Sequence, residues 1–144
     1  MFTHDRRQLR EVFFRAWRNH RDHLPLSGVE NIIVDIALRH PEYQPLLEHP
    51  ERHEEQDYLP EMGATNPFLH MGMHIAIAEQ LSIDQPHGVR ALYQRLLQQS
   101  NDPHDAQHRA MECLSEMVWQ AQRNGTAPDE AIYLSCLKRL VFSA

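Results

Sequence analysis

Three times after residue 65 the chain sets an amide or acidic residue and a proline at the head of an apolar, helix-periodic run: Asn66-Pro67, Asp84 with Pro86, and Asp102-Pro103. Asn and Asp side chains satisfy amide donors that a helix leaves open at its start. Proline at the first helical position lacks only a donor that has no use there. These are helix-start signals, and no strand pattern competes with them.

The remaining segments follow the same period. Leu9, Val12, Phe13, Ala16 and Trp17 fall at i, i+3, i+4, i+7 and i+8 in a first helix over about residues 4–22. Ser27-Gly28-Val29-Glu30 matches a capping box and opens a second, whose core stripe is Val29, Ile32, Ile33 and Ile36. His40 continues that stripe until Pro41 stops it. The third helix runs from Pro67 to about Ser82 and is apolar almost all round, which predicts a central position. The fourth turns Val89, Leu92, Tyr93, Leu96 and Leu97 inward. The fifth ends near Asn124-Gly125, and Thr126 caps a sixth bearing Ile132, Tyr133, Cys136, Leu137 and Leu140. Residues 41–65 hold four prolines and a cluster of acids. They form a long connection with room for a short helix around Tyr43 to Glu48, a length often used for lids. The expected fold is all-α: a single helical-bundle domain, 1–144, of about five to six helices, with a long connection between helices two and three.

A chain of 144 residues can bury a core without disulfides or an obligatory metal. Fourteen Lys and Arg against twenty Asp and Glu give a formal charge of −6, which argues against a nucleic-acid partner. Arg6, Arg7, Arg10, Arg15, Arg18 and Arg21 interleave with the first helix's apolar stripe and read as its solvated face. Cys113 and Cys136 occupy apolar helical positions and read as reduced core thiols. Met71, Met73, Met111 and Met117 read as core filler, Trp17 and Trp119 as core or interface anchors. No segment is apolar enough for a signal peptide or a membrane span, so the expected location is cytoplasmic, with no membrane partner.

The functional clue is histidine. Eleven histidines make three i, i+4 pairs, His49/His53, His70/His74 and His104/His108, where chance gives about 0.8. Residues four apart on a helix share a face and can grip one ion. At about 100° per residue, His70 and His74 share an arc with Ile77, Ala78 and Leu81 and point into packed structure. His104, His108 and Glu112 follow one another on one side of the fifth helix. Short turns would make helices three and five parallel and bring both pairs to one level, with His40 able to join them. The predicted metal ligands are His70, His74 and His108, with His104 or Glu112 completing the shell. Imidazole and carboxylate donors suit a divalent transition metal, zinc or iron first, able to activate a water on a small-molecule substrate for hydrolysis or another Lewis-acid reaction. His49/His53, in the acidic stretch EHPERHEEQD, reads as a pair with no site. The alternative is a non-catalytic interaction protein, its histidines in a buried hydrogen-bond network and its acidic 48–61 segment or an exposed helix face meeting a protein partner. Neither HExxH nor a Glu-x-x-His pair on the third helix is present, and Cys113 lies about 140° from His108, unsuited to a nucleophile and its base.

At His40-Pro41-Glu42-Tyr43, at Asn66-Pro67-Phe68-Leu69-His70-Met71-Gly72-Met73-His74, at Asp84-Gln85-Pro86 and from His108 to Trp119, the chain resembles the bacterial family called domain of unknown function 1841 over nearly its whole length. The resemblance implies a single small bacterial domain and brings no activity with it.

Overall fold

The computed structural model describes residues 2–56, 58 and 66–142, the side chains of 2–6 excepted. Among them run eight α-helices and no strand: α1 Phe2–Arg21, α2 Gly28–Arg39, α3 Gln44–Leu47, α4 Pro50–His53, α5 Pro67–Ile83, α6 Val89–Gln99, α7 Pro103–Asn124 and α8 Glu130–Phe142. The six expected helices are the six long ones. The count of five to six is corrected by α3 and α4, one turn each, which follow a 3-10 turn at Pro41–Tyr43 inside the long connection. Each of these short elements has proline in its first positions, where its missing donor has no use, and α3 falls within the short helix expected around Tyr43 to Glu48. The last part of the acidic 48–61 segment, apart from Tyr58, lies outside the described residues.

Two compact units make up the chain, Met1–Ile75 and Ala76–Ala144. In the first, α1 packs on α2 and α3 around Phe14, Trp17, Ile33, Ile36, Phe68 and Met71. Phe13 and Phe14 both meet Phe68 edge-on at 5.7 Å between ring centres. Phe13, Ala16 and Trp17 of the expected stripe are buried, with Arg10 and Phe14 beside them, while Leu9, assigned to the same stripe, stands 70% exposed. Val29, at the first turn of α2, is likewise exposed. Arg10 departs from the solvated face expected of the arginines. It lies 4.4 Å from the centre of the Phe68 ring and donates to the carbonyls of His53 (3.0 Å) and Gln56 (2.8 Å), tying the connection to α1. Arg7, Arg15, Arg18 and Arg21 are exposed and paired with carboxylates, as a solvated face requires.

The predicted start of α2 holds. Glu30 Oε1 accepts from the Ser27 amide and hydroxyl, both at 3.0 Å, and those bonds, with Arg15 beside them, hold its carboxyl below the usual carboxylate range. Asn66 Oδ1 accepts from the Phe68 and Leu69 amides at the head of α5.

In the second unit α6, α7 and α8 pack on one another around Leu92, Leu96, Ala110, Leu114, Tyr133 and Leu137. Asp102 caps α7 through Asp105 N at 2.8 Å, and Gly125 closes it at φ +64°, a left-handed position that glycine adopts without strain. The signal at Asp84 works differently from its neighbours. α6 begins only at Val89, after Gly88 at φ +93°, and the Asp84 carboxylate reaches forward to the Arg90 and Gly88 amides at 3.0 and 3.4 Å. Cys113 and Cys136 are not the expected thiols. They form a disulfide between α7 and α8, with Cα atoms 5.4 Å apart, within the span a bridge requires. Periodicity placed each on an apolar stripe but held no information that the two stripes face each other. Met71, Met111, Met117 and Trp17 are buried as expected, while Trp119 is 53% exposed, with the Arg123 guanidinium 5.2 Å from its ring centre.

Candidate metal centre

Pro41 gives the site its first ligand. A residue before proline is driven out of the helical region. His40 accordingly leaves α2 at φ −125°, ψ 74°, while its amide still bonds back to Ile36 and Ala37. The chain then turns so tightly that the Tyr43 amide donates to the His40 carbonyl at 2.9 Å. Two side chains are thereby folded onto the His40 ring. Tyr43 stacks on it, centres 5.1 Å apart at 23°, and Glu42 Oε2 accepts from its Nδ1 at 3.2 Å. The Glu42 carboxyl is held below its ordinary range by its own backbone amide first and by His40 after it. Burial pushes the Tyr43 hydroxyl up, so it remains a hydrogen-bond donor across the neutral range.

The helix α5 supplies the other two rings of the first unit. His74 is 2% exposed and His70 partly buried. Their Nε2 atoms are 3.2 Å apart. Two N–H groups cannot face each other at that distance, so at least one of the two nitrogens presents a lone pair. Around them the His40 ring centre lies 5.0 Å from that of His70 and 5.4 Å from that of His74, and Tyr43 meets His70 edge-on at 5.9 Å. Three imidazoles thus form a cluster within one unit, and their donor set is that of borderline divalent metals.

The second unit holds the other predicted pair. His104 and His108 lie on the first turns of α7, both partly buried, ring centres 4.1 Å apart and nearly perpendicular. Glu112, one turn further along, is exposed. His49 and His53, read as a pair with no site, are held by their neighbours: His49 by Glu51 at 3.4 Å, His53 by Gln56 at 2.8 Å and Tyr58 at 3.3 Å.

Glu42 and Tyr43 were absent from the predicted site residues, though the run His40-Pro41-Glu42-Tyr43 carried the family resemblance. Their signal was present: histidine, proline and glutamate in succession form a turn that returns the carboxylate to the imidazole. A family model matches residues 5–139. The chain belongs to the family described as a domain of unknown function, DUF1841. The match spans the His40 turn, α5 and α7 of this DUF1841 chain. Nothing matches among curated proteins or among solved structures.

Proposed function

We propose that this chain binds one divalent transition metal, zinc or iron, through His40, His70 and His74. The observation that carries the reading is proximity within one unit: the Nε2 atoms of His70 and His74 are 3.2 Å apart, and the His40 ring centre lies 5.0 Å from that of His70 and 5.4 Å from that of His74. Ligand atoms on a tetrahedral ion with bonds of about 2.1 Å stand roughly 3.4 Å apart, so a modest closure of side chains serves. Two of the three, His70 and His74, are ligands predicted from helical spacing, and His40 joins them from the turn that ends α2. The other predicted ligands, His104, His108 and Glu112, lie on α7.

Three imidazoles leave the fourth position of a tetrahedral shell for water, whose pKa the metal would lower enough for hydrolysis of a small-molecule substrate. The test is elemental analysis of tag-free protein purified without added metal, with one zinc or iron per chain expected. Metal-free protein that takes up neither zinc, iron, nickel nor manganese on titration sinks the reading. In that event the second reading gains, an interaction protein whose histidines form a buried network. The His74–His70 and His40–Glu42 bonds are ones such a network would use.

A further inference from the structure

His-Pro-Glu occurs twice, at His40-Pro41-Glu42 and His49-Pro50-Glu51. Both histidines take nearly the same backbone conformation, φ −125°, ψ 74° and φ −129°, ψ 66°, as the following proline demands. In both the turn returns the glutamate to Nδ1, at 3.2 Å for His40 and 3.4 Å for His49. The bond by itself is therefore a local product of the turn and implies no site.

The surroundings differ. The side chain of His49 is 44% exposed and that of His40 only 8%, with the His70 and His74 rings packed against it. A carboxylate is an acceptor only, so the His40 ring carries its hydrogen on Nδ1 and its lone pair on Nε2. We propose that Glu42 is a positioning residue for the metal: it holds His40 in the Nδ1–H tautomer and in one ring orientation, making Nε2 the ligand atom. Glu51 imposes the same tautomer on His49, whose side chain is 44% exposed. This inference rests on the metal-binding reading above. Carboxylates hydrogen-bonded to ligating imidazoles fix the tautomer and raise ligand basicity, and their loss weakens metal binding about 10- to 100-fold.

The experiment measures zinc affinity by competition with a chromophoric chelator for the full chain and for E42A, E42Q, E51A and H74A. Nitrogen–proton correlation spectra of the metal-free proteins report each imidazole tautomer. H74A is expected to abolish binding. E42A weakens it about 10- to 100-fold and moves His40 toward the Nε2–H form. In E42Q the amide oxygen still accepts from Nδ1, so the tautomer is kept and the larger part of the loss is recovered. E51A alters His49 alone and leaves zinc affinity unchanged. Wild-type affinity in E42A, or an equal loss in E51A, with H74A still abolishing binding, overturns the role of Glu42 and leaves the metal site standing. A wild-type chain that binds no zinc removes the metal reading and the positioning role together.

Discussion

Buried side chains carry their chemistry differently according to what surrounds them. Tyr133 is 1% exposed, and its hydroxyl donates to Gln80 Oε1 at 2.8 Å. Burial, with Tyr93 adding to it, pushes its pKa up to about 12. Below pH 10 folded and unfolded chains both keep the phenol proton. Between pH 10 and 12 only the unfolded chain releases it, so stability falls there by about 1.4 kcal/mol per pH unit. Urea unfolding at pH 9 and pH 11.5 is expected to show this fall, and Tyr133→Phe to remove most of it at a cost of about 1 kcal/mol at neutral pH. An unchanged fall in the variant assigns the titration elsewhere. The histidines divide in the same way. His74→Ala is expected to abolish metal uptake and to destabilise the metal-free chain by about 1–3 kcal/mol, because it leaves a void and removes the bond to His70. His49→Ala, in a partly exposed turn, leaves both metal content and melting temperature unchanged. Equal metal loss in the two variants would move the site to the connection.

At the scale of elements, caps and crosslinks set what each helix contributes. The Asp102 carboxylate satisfies the Asp105 amide at the head of α7, the helix that carries His104 and His108. Asp102→Ala is expected to lower stability by about 1 kcal/mol, read as a shifted urea midpoint with the same slope. The Cys113–Cys136 bridge joins α7 to α8 across a sequence separation of 23. Closing a loop of that size in the unfolded chain is worth about 3 kcal/mol. The double variant Cys113→Ala with Cys136→Ala should lose about that much. Titration of unreduced, unfolded protein should find no free thiol, and two thiols per chain would show the bond absent. Such bonds are rare in cytosolic proteins, so the same count bears on the expected cytoplasmic location. Among the described residues no helix is long and apolar enough to cross a membrane.

For the whole molecule, metal binding and stability are one equilibrium. A cation that binds only the folded chain stabilises it by about 2.7 kcal/mol at a hundred times its dissociation constant. Zinc is therefore expected to raise the melting temperature of the wild type in a concentration-dependent way, and to leave that of His74→Ala in place. A rise of equal size in both would place the ion outside the histidine cluster.

Sequence alone determined the elements, because capping chemistry and the 3.6-residue period are local: Asn66 and Asp102 announce their helices and Gly125 ends one whatever else the chain does. It also marked His70 with His74 and His104 with His108, since residues four apart share a helix face by geometry. What it could not determine is which surfaces meet. The edges of the α1 stripe were settled by its neighbours, which bury Arg10 and leave Leu9 in solvent. The pairing of Cys113 with Cys136 required α7 and α8 to face each other. The place of His40 beside His70 and His74 required α2 to end against α5, with Glu42 and Tyr43 folded over the ring. Those contacts join residues far apart in the chain, and only tertiary packing brings them together.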